Sequence, residues 1–301
     1  MPKRVFVLLI GSMDRAEGNR FQLLQEESAV AEGRRTGIEV EVEYAPGFDQ
    51  FRALRKRLSD PDKPVDAVIT EPASTNSMEL VLKELKGKMG LVLLNTGGPV
   101  VEQYIAQWGH AFPIGTVSTP HTLIGEIQGR QVTKLLPQGG RVLVITGPQR
   151  SSAAQQRLAG LKATLAPGIT AYDSEGGQWT EADGILAFNS WYGVHKTRQE
   201  AIGVIAGHND ELAMGARSAS RAVSNASHRE AFLKTRFLGV DACRGYGKDL
   251  VDKGTLHASI VTPPNTGVAI ALLQKFWVEG KPLAPQAYTE VTPYPPTTAD
   301  R

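Results

Sequence analysis

Residues 202–216, IGVIAGHNDELAMGA, set a histidine, an asparagine and two carboxylates directly after a short apolar run. Ile202, Val204 and Ile205 carry the mark of a buried strand in a parallel sheet. Leu212, Ala216, Ala219 and Val223 then recur at helical spacing. Asn209 therefore falls at the carboxyl end of a strand and at the mouth of a helix, where open α/β sheets bind ligands. Its amide offers an acceptor and a donor, which suits a hydroxyl that does both. Asp210 is expected as the N-cap of the helix, its carboxylate accepting a free backbone N–H. On these residues alone, Asn209-Asp210 reads more plainly as a turn and cap pair.

The rest of the chain offers binding groups and no catalytic constellation. Six histidines are scattered without metal-motif spacing, and Cys243 is the lone cysteine, so no intrachain disulfide forms. No G-x-S-x-G elbow or H-E-x-x-H helix occurs. Gly245-Tyr246-Gly247-Lys248 lacks the spacing of a phosphate loop, and no nucleophile pairs with His208. His208 is expected to flank a ligand site as a polar side chain. The sequence calls for no cofactor and no metal. With 33 basic and 31 acidic residues the net charge is +2, which leaves no electrostatic footprint for nucleic acid.

The elements that must position these residues alternate. Strands are expected at 4–10, 38–44, 65–70 and 91–94, with helices at 21–34, 48–58, 78–85 and a short one opened by Pro99. A second set begins near Ser118, with helices at 122–136, 153–165 and 180–191 and strands at 142–145, 169–172 and 202–205. Thr180 and Asp183 have the spacing of a capping box. Further helices are expected from Glu211, at 227–234, 248–253 and 266–278, and strands at 237–241 and 258–261. The proline-rich tail from Lys281 reads as a final crossover and a frayed terminus. Such alternation implies doubly wound parallel sheets, and 301 residues suit two domains.

The motif N-D-E-x-A-x-G-A after a strand resembles the sugar-binding group of the type I periplasmic binding proteins, of which the ribose binders are familiar members. It also occurs in the effector domains of the lactose-repressor family. The resemblance implies an α/β fold of two doubly wound parallel-sheet lobes joined by a three-strand hinge. It divides the chain into residues 1–117 with 263–289 and residues 118–262 with 290–301. In such proteins the ligand lies between the lobes, its apolar ring faces on aromatic surfaces and its hydroxyls on directed polar partners.

Carried over residue by residue, Asn209 matches the family's ligand asparagine, and Asp241 in LGVDA its ligand aspartate. Trp179 in GGQWTEAD matches an aromatic at the mouth of the C-terminal lobe, with an ordinary core tryptophan as the equal alternative. Gln155 stands where ribose binders carry an arginine, and Thr262 where several relatives have glutamine. In the N-terminal half the loop at 12–21 contributes Asp14 and a single stacking ring, Phe21. Asn95 follows the strand LVLL where many sugar binders have aspartate, and Glu71 and Ser74 end the strand AVIT. The site departs from the ribose pattern by two charges and one ring, so a different sugar or a non-sugar ligand fits as well.

The resemblance further implies a monomer that closes on a small solute and is read by an ABC permease or a membrane sensor kinase. Residues 5–10 read as a first buried strand rather than the core of a signal peptide, so the chain as written is expected in the cytoplasm. A periplasmic or envelope location follows instead if an export segment is missing. The other readings are an intracellular effector domain without its DNA-binding module and an α/β enzyme acting on a sugar.

Overall fold

The computed structural model describes residues 2–11, 19–47, 49–73, 75–196 and 201–296. The chain divides into two compact units, Met1–Thr119 with Pro264–Thr289 and Pro120–Pro263 with Glu290–Arg301, and passes from one to the other three times.

The chain begins β1 (Arg4–Ile10), α1 (Arg20–Thr36), β2 (Glu39–Ala45), α2 (Gln50–Leu58), β3 (Ala67–Thr70), α3 (Thr75–Leu85), β4 (Gly90–Leu94), α4 (Pro99–Trp108) and β5 (Ile114–Ser118). It continues α5 (His121–Leu135), β6 (Gly140–Thr146), α6 (Ser152–Thr164), β7 (Ile169–Glu175), α7 (Glu181–His195), β8 (Val204–Gly207), α8 (Asp210–Arg221), α9 (Ala226–Leu233), β9 (Arg236–Leu238), α10 (Gly247–Asp252) and β10 (Ser259–Val261). Last come α11 (Thr266–Glu279), β11 (Gln286–Tyr288) and β12 (Thr292–Tyr294).

In the first unit one parallel sheet runs β11-β5-β4-β3-β1-β2. The apolar run of β1 has a two-sided job, which is why it shows no polar alternation. Val5, Val7 and Leu9 enter the core shared with α1 and α11, while Phe6 and Leu8 enter the core on the other face. The acidic alternation of β2 belongs to the sheet edge, where Glu39 is exposed. The sequence reading passes over β5: IGTVS, with one glycine and two hydroxyl residues, lacks the apolar run that marks a buried strand, yet all five residues are buried.

The second unit holds the parallel sheet β7-β6-β8-β9 and the antiparallel pair β10-β12. Strand β6 again splits its side chains, Leu143 and Ile145 to one core and Val142 and Val144 to the other. The capping box of α7 forms as the spacing predicts, with Thr180 accepting from the Asp183 N–H and Asp183 from the Thr180 N–H. The tail does more than cross over and fray. Its β11 extends the first unit's sheet through β5, and its β12 pairs with β10 in the second.

Candidate functional site

In each unit the polar side chains singled out by sequence collect at the carboxyl ends of the parallel strands. In the second unit Asn209 lies two residues beyond β8 with extended backbone, φ −144° and ψ 176°. Its Oδ1 accepts from the Leu212 N–H at 2.8 Å, so Asn209 itself is the N-cap of α8. This corrects the expectation for Asp210, whose side chain is turned away from the helix end. Asp210 Oδ1 accepts from the Ser259 hydroxyl at 2.6 Å, and its carboxylate is so closely walled that a Cβ on Gly239 or Gly247 would collide with it. Burial first, then the nearby Asp241 carboxylate, holds the Asp210 carboxyl well above the usual range.

The Asn209 amide also donates from Nδ2 to the Trp179 carbonyl at 2.8 Å. Trp179 is partly buried, and its indole lies so close over Gly147 that a Cβ there has no room. Asp241 and Thr262 meet directly, the threonine hydroxyl donating to Asp241 Oδ1 at 2.9 Å. Both are buried.

The residue that ties these pairs together is Arg157, which the sequence reading missed. Its guanidinium lies 5.4 Å from the Trp179 ring centroid, and Nη2 is 3.8 Å from Asp241 Oδ1. Nη1 donates to the His208 carbonyl, and Nε to His121 Nδ1 at 3.4 Å. Gln155, expected in the arginine's place, is exposed and donates to the Gln149 carbonyl, so it is not part of this cluster. The signal was the stripe Ala154, Arg157, Leu161 at three- and four-residue spacing, which puts Arg157 on the buried face of α6.

Burial dominates the electrostatics of the cluster. It raises the Asp241 carboxyl, with Arg157 and the Thr262 hydroxyl pulling the other way. It lowers His208 to about 3 and His121 well below the ordinary imidazole value, Arg157 adding to both. Both rings are therefore neutral. Each accepts a proton donor at Nδ1, from Gly147 N–H in His208 and from Arg157 in His121, so each carries its own proton on Nε2. His208 is fully buried beside the cluster rather than standing at its surface.

In the first unit Asn95, directly after β4, is a hydrogen-bond hub. Oδ1 accepts from the Thr119 N–H at 3.0 Å and Asn265 Nδ2 at 3.2 Å, and Nδ2 donates to Glu71 Oε1 at 3.1 Å. Behind it Asn265 and Gln25, both fully buried, exchange further bonds. Phe21 sits half-buried in the first turn of α1, one residue before Gln22, whose amide reaches Glu71 at 3.5 Å. Asp14 and Ser74 lie outside the described residues.

Backbone conformation marks the same positions. Among the described residues four non-glycines have positive φ: Asn95 at 51°, Trp179 at 67°, Asp241 at 94° and Ala242 at 45°. Three of the four are site residues chosen from sequence. A bulky tryptophan in this region is a genuine outlier, and such strain collects at binding sites.

Comparison with known proteins gives a consistent picture. A family model described as periplasmic binding protein domain matches residues 13–276. A putative rhizopine-binding protein of Rhizobium meliloti is 28% identical over 162 residues, 52% of this chain and about half the length of that protein. Among solved structures, a galactofuranose binding protein superposes with a TM-score of 0.79 at 23% identity, over 99% of this chain and 96% of its own. The periplasmic binding protein component of the arabinose ABC transporter from Shewanella sp. ANA-3, bound to arabinofuranose, gives 0.77 at 19% identity, over 97% and 92%. At these identities the likeness to solved structures establishes the fold.

Proposed function

Because this chain belongs to the periplasmic binding protein domain family, we propose that it binds a small polar solute, a sugar, and releases it unchanged. The carrying observation is the cluster of Asp241, Thr262, Trp179 and Asn209 around Arg157, at the strand ends of one unit and with two of its members at positive φ. An aromatic face beside a carboxylate, a hydroxyl and an amide matches the two surfaces of a sugar, its C–H faces and its hydroxyl rim. In the first unit Asn95, Glu71 and Phe21 are the corresponding contact groups, and Asp14 is a further one. Gln155, exposed and bonded locally, is left out of the set.

The sugar-named relatives support this class of ligand, and furanose forms head the panel to be tried. Ligand contact drawing the two lobes together is the event that a permease or a membrane sensor would read. The family supports a periplasmic or envelope location.

The test is calorimetric titration and thermal shift with pentoses, hexoses, polyols and amino acids, on protein refolded from denaturant to remove carried-over ligand. A ligand at 100 times its Kd adds about 2.7 kcal/mol of stability. A sugar should give this shift, return unaltered by chromatography, and lose at least tenfold in affinity with Asp241→Asn or Trp179→Ala. A shift confined to a non-sugar metabolite, or a sugar affinity indifferent to both substitutions, would overturn the reading.

A further inference from the structure

A basic depression lies on the second unit at the opposite end of its sheet from Asn209 and Asp241. Arg217 and Arg221 reach it from the carboxyl-terminal half of α8, Arg236 from the first position of β9, and Thr255 and His257 from the turn that follows α10. No carboxylate is among its lining residues.

Several arginines elsewhere on the surface find acids: Arg4 with Glu39, Arg35 with Glu32, Arg52 with Asp49, Arg55 with Glu84. Arg217, Arg221 and Arg236 have no ion pair among the described residues. Arg217 and Arg221 stand four residues apart on one helix, a spacing at which like charges repel. Arg221, in the last turn of α8, is accounted for by the helix dipole. Arg217, partly buried a turn earlier, and Arg236, on a strand, are not. Burial, and then Arg221, lowers the Arg217 pKa, and burial, and then Arg236, lowers that of His257. The cluster is thus a concentration of positive charge that no acid among the described residues pairs with.

We propose that this depression is an anion site for a phosphate-class oxyanion, either free phosphate or the phosphate of a lipid headgroup. Three guanidiniums exceed the charge of one carboxylate and match a doubly charged group, whose oxygens accept paired N–H bonds from each fork. The Thr255 hydroxyl adds a neutral donor. The cavity measures about 240 Å³, below the ~300–1,000 Å³ of pockets that enclose whole organic ligands. Its occupant is therefore a small anion or the head of a larger molecule that stays outside.

The proposal stands apart from the sugar reading and is tested apart from it. Inorganic phosphate is titrated at low ionic strength against chloride matched for ionic strength, and binding to phosphatidylglycerol vesicles is compared with phosphatidylcholine vesicles by co-sedimentation. Phosphate should raise Tm where chloride does not, or the anionic vesicles should retain the protein. The first outcome assigns a free ion, the second a headgroup. Either effect should weaken at least tenfold in Arg217→Gln/Arg236→Gln, and in Arg221→Gln, whose exposed position spares the core. Any sugar-dependent shift should be unchanged in both. Absence of phosphate and vesicle binding alike, or undiminished binding in both variants, would overturn the proposal.

Discussion

Asn209 does two structural jobs with one amide, and two substitutions separate them. Asn209→Ala removes the cap of α8, which costs about 1 kcal/mol. It also strips the partly buried Trp179 carbonyl of its donor, and leaving that acceptor unsatisfied adds about 1–3 kcal/mol. Together these predict a loss of about 2–4 kcal/mol, or roughly 10 °C in Tm at ~2–4 °C per kcal/mol. Asn209→Asp keeps the acceptor that caps Leu212 N–H but replaces the donor to Trp179 with an acceptor. The new carboxyl is fully buried next to Asp210, whose own carboxyl burial raises, and burial is expected to outweigh the downward pull of the Leu212 N–H and lift its folded pKa above the ~3.9 of an unfolded aspartate. A raised carboxyl gives stability that is complete below pH ~4 and lost as pH climbs through the folded pKa. Protonated, it can donate to the Trp179 carbonyl and cap the helix at once. Calorimetric scans of ligand-free protein at pH 5 and pH 7 should therefore show Asn209→Asp approaching the parent at pH 5 and falling well below it at pH 7, with Asn209→Ala low at both. If Asn209→Ala loses less than ~1 kcal/mol, or the aspartate variant is as stable as the parent at pH 7, the double role assigned to this amide is wrong.

Arg157→Met should destabilise the ligand-free protein by about 3–5 kcal/mol, because it leaves the buried Asp241 carboxylate uncompensated. In a double-mutant cycle with Asp241→Asn the two should couple by more than ~0.5 kcal/mol in denaturant unfolding, and strict additivity would remove the pair from the account. His208, lowered to about 3 in the fold, contributes stability that is present above the unfolded value of ~6.5 and lost as pH falls toward the folded one. Between pH 7 and 5 that loss amounts to about 2 kcal/mol, partly offset by Asp210 and Asp241, whose raised pKa values act in the opposite sense. His208→Gln should lose about 2 kcal/mol less than the parent over this interval, and parallel stability profiles would refute the assignment.

Much of this was legible in the sequence because the central strands announce themselves. A strand buried on both faces tends to a continuous apolar run, and β1 has one at residues 5–10 and β6 at residues 142–145. The elements missed are those whose burial rests on partners far away in the chain. Strand β5 is mostly small or polar and is held between β4 and β11, the latter 170 residues later at the Gln286–Thr116 pair. The strand-end residues Asn95, Asn209 and Asp241 could be chosen by position and motif. Gln25 and Asn265 could not, since nothing local says that two amides 240 residues apart share a bond. Arg157 was a different failure. Matching by position selected Gln155, whereas helical periodicity alone puts Arg157 on the buried stripe, and a charge on a buried stripe is the more informative sign.

The positive-φ residues bear on how such a site works. A non-glycine residue in this region costs of order 1–3 kcal/mol and persists only where its surroundings over-determine it. Asn95 is held by three side-chain hydrogen bonds and by its N–H to the Val117 carbonyl. Trp179 is fixed by its ring on Gly147, by Asn209 at its carbonyl and by the capping box that begins at the next residue. Asp241 is bound through its N–H to the Ile260 carbonyl and through its carboxylate to Thr262. These ties hold each group within its own unit. If these groups contact a ligand as proposed, ordering them adds little to the cost of binding. A rigid polar group left without its partner is penalised in full, so groups held in this way would select the proposed ligand by the placement of its own polar atoms.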